Sequence, residues 1–196
     1  MNTHEAWEKI HKSKNWGAYP SEHIIRFVAR NYYNTDRKNI KILDFGCGTG
    51  ANSWYLAREG FDTYAFDISE CAIEKLLMKF ESENLKIHAK TMDGLFLDYD
   101  DNYFDAVIDN VSIFSNKSKD IKQMYGKVYD ILKNGGKFIT VVFDKETTGY
   151  GTGHEVEPGT YEGIDKGRLQ GIGYRHFFDR DELFGMLSDV GFKNIN

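Results

Sequence analysis

The chain predicts an α/β fold, a mostly parallel sheet with helices on both faces. Three observations carry this. From residue 40 onward, short apolar runs alternate with segments of helical periodicity. The first run, Lys41–Phe45, stops at three alternating glycines, Gly46, Gly48 and Gly50. The second run ends on an acidic residue, Asp67, one helical crossover later. Strands joined by helices at this spacing form right-handed parallel βαβ units.

The elements follow in order. Residues 1–39 read as an N-terminal helical cap of one or two helices: Ile24, Ile25, Phe27 and Val28 give Glu22–Arg30 an apolar face, and Ser21, after Pro20, offers an N-cap. Asn52–Glu59 is helical, with Gly60 as its stop. Thr63–Phe66 is the second strand. Ser69 caps a helix over Glu70–Phe80, whose Ala72, Ile73, Leu76, Leu77 and Phe80 share one face. Leu85–Thr91, Phe104–Asn110 and Lys137–Phe143 are the third to fifth strands, the last two joined by a helix over Lys119–Leu132. Asp144–His176 carries glycines at 149, 151, 153, 159, 163, 167, 171 and 173 with little periodicity, and reads as a loop or lid over a site. A final helix, Arg180–Val190, stops at Gly191, and Phe192–Asn196 looks like the start of another strand. Residues 40–196 thus form one domain carrying the lid.

Composition narrows the function. The 196 residues are 41% hydrophobic, enough for one sizeable core. Twenty-five Lys and Arg against 30 Asp and Glu leave a net charge of −5, which disfavours a nucleic-acid substrate. No run of about 18 apolar residues predicts a membrane span, and the polar, Trp-containing N-terminus does not read as a secretory leader. Cys47 and Cys71 have no metal-type spacing and suggest no disulfide framework, so a cytoplasmic location without a metal is expected.

Ligands of open α/β sheets bind beyond the carboxyl ends of the strands. At the first of these ends the glycines let a ligand approach main-chain N–H groups, and the following helix presents its N-terminus. At the second, Asp67 is placed to accept hydrogen bonds from the ribose hydroxyls of an adenosine. Gly46–Ala51 also satisfies the dinucleotide pattern G-x-G-x-x-G/A, so an NAD-linked oxidoreductase stays an alternative. Against it stand Asp44 inside the first strand, the helical segment before that strand, Asp93 after the third strand, and the lack of a Tyr-x-x-x-Lys dyad after the fourth.

Several motifs in order resemble the class I S-adenosylmethionine (SAM)-dependent methyltransferases of small-molecule type. Leu43–Gly50 is similar to that family's glycine motif and Phe66–Ser69 to its ribose-binding strand end. Met92–Gly94 with Asp101–Val107 resembles the adenine-side loop and fourth strand. Ile131–Lys137 resembles the Leu-Lys-Pro-Gly-Gly turn, with Asn134 for Pro, and Phe177–Phe192 the last helix. The resemblance implies a Rossmann-like methyltransferase sheet over residues 40–196. It departs from the family in its terminal β-hairpin, for which Phe192–Asn196 is too short. A reduced sheet edge would favour a homodimer.

Carried over, the resemblance puts the methionine part of SAM near Gly46, Cys47, Gly48 and Asn110, and the ribose on Asp67. The adenine then lies by Ile68, Asp93 and Gly94, and Asp44 orients the glycine loop or the SAM ammonium. Trp16 and Tyr19 are expected to close over the cofactor, which leaves as S-adenosylhomocysteine (SAH). Methyl transfer is an in-line displacement that needs a base only when the acceptor must lose a proton. His154 and His176 are the candidate bases, and Tyr150, Tyr161 and Arg175 the candidate contacts to an acceptor. The expected activity is methylation of an oxygen or nitrogen on a small polar metabolite, such as a glycan or nucleotide-sugar precursor. A non-catalytic SAM-binding partner subunit is the remaining alternative.

Overall fold

A computed structural model of the chain describes residues 3–13, 17–167 and 170–196. Two helices, α1 (Thr3–Ser13) and α2 (Glu22–Tyr32), precede the alternating part of the chain. There follow β1 (Lys41–Phe45), α3 (Ala51–Arg58), β2 (Asp62–Asp67), α4 (Glu70–Ser82), β3 (His88–Thr91), β4 (Phe104–Asn110), α5 (Ser118–Ile131) and β5 (Leu132–Val141). The sheet has the order β3-β2-β1-β4-β5, and every pairing is parallel. Because the order reverses between β1 and β4, the crevice beyond their carboxyl ends is the topological switch point where such sheets bind ligands.

Alternation along β1 sorts the core into layers. Ile42 packs with Ile24, Val28 and Tyr32 of α2 and with Leu56 of α3. Leu43 and Phe45 face the other way, onto Ile121, Met124, Tyr125 and Val128 of α5 and Leu187 of α6 (Arg180–Val190). On the outer half of the sheet, Ala65 packs against Ile73, Leu76 and Phe80 of α4. No helix among the described residues is long and apolar enough to cross a membrane.

Three elements differ from the sequence reading by more than two residues, each for a visible reason. The third strand starts at His88, because Leu85 is used to close α4: its N–H donates to the Phe80 carbonyl, 2.9 Å away, and its side chain joins the Phe80 cluster. The fifth strand begins earlier, at Leu132, and absorbs Gly135 and Gly136 through a register shift opposite Phe104–Ala106. Phe192–Asn196 forms no strand. Phe192 instead stacks on Phe138 of β5 (5.3 Å, 26°) and meets Tyr129 of α5 edge-on.

The glycine-rich segment expected as a loop holds a second, antiparallel sheet: β6 (His154–Glu157), β7 (Thr160–Glu162) and β8 (Tyr174–His176). Its strands are too short to show a period in sequence, and Pro158-Gly159, with Gly159 at φ +77°, makes the tight turn between the first two. Polar contacts dock this sheet on the main one. Glu157 accepts from the Ser118 N–H that opens α5 (2.6 Å), and the His176 N–H donates to the Phe114 carbonyl (2.9 Å).

His176, a candidate base, is fully buried here as a tie. Its Nδ1 pairs with Thr160 Oγ1 (2.7 Å) and its Nε2 with Glu182 Oε1 (2.9 Å), which joins β7 and β8 to α6. With both ring nitrogens engaged and no access to solvent, neither is open to an acceptor. Replacing it deletes two buried hydrogen bonds and leaves a cavity, so His176→Ala is expected to lower stability by about 3 kcal/mol. Urea unfolding measures this, and ligand affinity should stay within about twofold.

Candidate functional site

The cleft at the switch point encloses about 1100 Å³ of non-protein space, its open mouth included. Its walls come from the ends of β1, β2 and β4, from the loop after β3, and from α1. Gly46 opens it. A Cβ there would sit 1.9 Å from Ser112 Oγ, and its φ of +64° already excludes most side chains, so only glycine lets the β1 loop lie against the β4 loop. Gly94 plays the corresponding part after β3, where a Cβ would come within 2.4 Å of the Phe45 ring.

Asp67 ties the two halves of the floor together. Its Oδ2 accepts from the Gly48 N–H (2.8 Å) and its Oδ1 from the Ser69 N–H (2.9 Å). A carboxylate has about four lone-pair positions, so acceptor capacity remains on both oxygens. Across the cleft Asp93 caps the 3-10 turn Gly94–Phe96, accepting from the Leu95 N–H at 2.9 Å. At the end of β4, Val111 takes φ +60°, a conformation rare for a β-branched residue, and it lines the cleft beside Asn110.

Two further carboxylates stand behind the walls. Asp44 accepts from Ser53 Oγ in the first turn of α3, and burial pushes its pKa up to about 7. Asp109 accepts from Thr140 Oγ1 (2.6 Å) and from the N–H groups of Ser112 (2.9 Å) and Ile113 (3.1 Å), and burial raises its pKa to about 6. Burial raises Asp67 as well. Burial thus disfavours the ionised forms of all three carboxyls, a cost that a cation bound in the cleft would offset.

Helix α1 forms the roof. Glu8 accepts from Ser69 Oγ (2.6 Å) and the Cys71 N–H (3.3 Å) at the start of α4, and the hydrogen bond from Ser69 holds its pKa down near 2. Lys75 donates to the His11 carbonyl. So anchored, α1 turns Trp7 and His11, stacked at 5.8 Å, into the cleft. Burial depresses the His11 pKa, against the opposing pull of the Asp67 charge.

Of the residues singled out in the sequence, Tyr19, Gly46, Cys47, Gly48, Asp67, Ile68, Asp93, Gly94 and Asn110 all line this one cleft, with Tyr19 84% exposed at its mouth. Asp44 lies behind it, and Trp16 is outside the described residues. The structure does not bring His154, His176, Tyr150 or Tyr161 there. His154 is exposed at the edge strand β6, because that segment folds as a sheet beside the cleft instead of a lid across it. Tyr150 and Tyr161 pack edge-on with each other and with Phe177 in a separate apolar cluster. Arg175 is buried beneath Trp7. Trp7 and His11 also line the cleft and are not among the site residues named from the sequence. The sequence reading passed over Val111, Ser112 and Ser115 altogether, and nothing in their spacing marks them.

Residues 42–136 match the family model described as "Methyltransferase domain". Among curated proteins, the human protein named arginine-hydroxylase NDUFAF5, mitochondrial, is 30% identical over 69% of this chain and 41% of its own length. The probable S-adenosyl-L-methionine-dependent methyltransferase TehB of Haemophilus influenzae is 37% identical over 40% of this chain and 28% of its own length. The chain thus spans less than half of these relatives. A solved SAM-dependent methyltransferase from Methanosarcina mazei superposes with a TM-score of 0.71 at 22% identity, covering 89% of this chain and 86% of that one, and shares the fold.

The raised carboxylates set a pH dependence. Folded, Asp44 and Asp109 hold protons that the unfolded chain releases near pH 4, so their contribution to stability falls as pH rises from about 4 to 7 and is level above that. The ligand-free protein should therefore lose less thermal stability between pH 5 and pH 8 when Asp44→Asn removes one titrating group. Parallel melting curves for the two proteins would contradict this assignment.

Proposed function

The chain belongs to the class I S-adenosylmethionine-dependent methyltransferase family, and we propose that it transfers the methyl group of SAM to an oxygen or nitrogen of a small polar metabolite. The observation that carries this reading is Asp67, held at the strand end by Gly48 and Ser69 with acceptor capacity to spare for two ribose hydroxyls. The rest of the cleft fits the same ligand. The methionine part lies along Gly46, Cys47, Gly48 and Asn110, with the buried carboxylates countering its ammonium and sulfonium. The adenine lies between Ile68, Met92 and Gly94, with Asp93 to accept from its amino group. An NAD-linked reading would set an anionic pyrophosphate on the glycine loop, beside the carboxyls of Asp67, Asp44 and Asp109.

When bound, SAM supplies an electrophilic methyl on a leaving group that needs no proton. The chain's task is then to bind, orient and exclude water. Trp7 and His11 close one side, so that α1 acts as the cap, while α2 belongs to the core layer packed on β1. His11, kept neutral by burial, is the cleft histidine able to take a proton from an acceptor that must lose one. The acidic balance favours a metabolite over a nucleic acid. The free thiols of Cys47 and Cys71 suit a cytoplasmic setting, and the edge of β5 is the face for any pairing of two copies.

Calorimetric titration with SAH, with NAD as control, tests the cofactor assignment. Micromolar SAH binding is expected, weakened about 10–100-fold in Asp67→Ala by loss of hydrogen bonds to a charged acceptor. Binding of NAD in place of SAH would overturn it, and SAH release from SAM with candidate metabolites tests the transfer.

A further inference from the structure

We infer that the acceptor is an anion, and that its carboxylate, phosphate or sulfate group is received by Arg175 and Ser115 when Trp7 shifts to open the guanidinium to the cleft. The inference rests on the methyltransferase reading above and names its substrate class.

Only four buried side-chain nitrogen or oxygen atoms among the described residues lack a hydrogen-bond partner: Nε and Nη2 of Arg175, Oγ of Ser115 and Nδ1 of His11. Buried polar groups are rarely left so, and a buried guanidinium more rarely still. Arg175 is fully buried in β8, and its Nη1 donates to the Tyr174 carbonyl. The two unpartnered nitrogens are Nε and Nη2, the side-on edge whose parallel N–H groups match the two oxygens of a planar or tetrahedral anion. Among the described residues no carboxylate offsets the charge, and burial brings the guanidinium down to about 9.

The position ties this cation to the cleft. Its Cζ lies 5.2 Å from the centre of the Trp7 ring and 5.6 Å from that of Phe114. Trp7 lines the cleft, and so does Ser115, the residue after Phe114. The His176 N–H bond to the Phe114 carbonyl ties the Arg175 segment to the Ser115 segment. The ring of Trp7 screens Arg175 from the cleft. That ring sits on α1, which polar contacts from Glu8 and Lys75 hold to α4, and a small displacement of α1 would open the guanidinium to a ligand already in the cleft.

The test uses the full chain saturated with SAH and, at constant ionic strength, titrates inorganic phosphate, sulfate and acetate as probes, with glycerol as the uncharged control. At least one anion should bind saturably while glycerol does not. Arg175→Met should weaken that binding tenfold or more and leave SAH affinity within twofold. Its ligand-free melting temperature should be equal to or above that of the wild type, because an unpaired buried charge has been removed. Ser115→Ala, which disturbs the fold least, should weaken the same probe about threefold and serves if Arg175→Met does not fold. SAH binding without any anion binding would overturn the inference alone. So would equal anion binding in Arg175→Met with a lowered melting temperature, which would make Arg175 a structural cation. Failure of the wild type to bind SAH would remove the underlying methyltransferase reading instead.

Discussion

The bond from the Gly48 N–H to the Asp67 carboxylate is the contact on which the site depends. It joins the loop after β1 to the end of β2, and beside it the Cys47 N–H donates to the Phe66 carbonyl at 2.9 Å. These two bonds set how far apart the neighbouring strands finish, and so the width of the cleft floor. The glycine loop can make them only because Gly46 brings no Cβ against Ser112. The next turn of chain continues the pattern: Asp67 also takes the Ser69 N–H, Ser69 caps α4 by accepting from the Ala72 N–H, and the Ser69 hydroxyl donates to Glu8 of α1. One carboxylate thus connects floor and roof through four residues.

The features legible in the sequence are those that local physics determines. The β1 and α6 boundaries agreed to the residue because a glycine and an Asp cap mark them. The glycine loop, Asp67, Asp93 and Asn110 converge because each ends a parallel strand or opens the turn after one, and parallel strands finish at the same edge of the sheet. What was not legible depended on docking between distant segments. His11 and Trp7 reach the cleft because Glu8 binds the start of α4, a contact more than 60 residues away in sequence that no periodicity encodes. The small antiparallel sheet is built from strands of three and four residues separated by glycines, below the length at which alternation can be read. His154 and His176 were plausible bases by type and region alone. Tertiary packing put one on an outer edge and buried the other between Thr160 and Glu182.

The walls of the site are polarised. On the side of β1, β2 and β4 lie Asp44, Asp67 and Asp109, buried and held mainly by neutral donors. On the side of β8 lies Arg175, buried with no anion against it. These opposite charges do not neutralise each other, because the cleft and Trp7 lie between them. Each arrangement is costly in the ligand-free protein, since burial penalises any ion that lacks a counter-charge. Such costs persist in natural folds mainly where a ligand relieves them.

A cationic cofactor and an anionic acceptor would relieve both at once, and in a fixed geometry. The sulfonium would be drawn to the carboxylate side and the acceptor's negative group to the guanidinium side, leaving the methyl group and its target between them. Electrostatics would then do the orienting that in-line transfer requires. Once the methyl has left, the cofactor loses its sulfonium charge and with it part of its attraction to the carboxylates. The polarity that assembles the reactants therefore also favours release of the spent cofactor over retention.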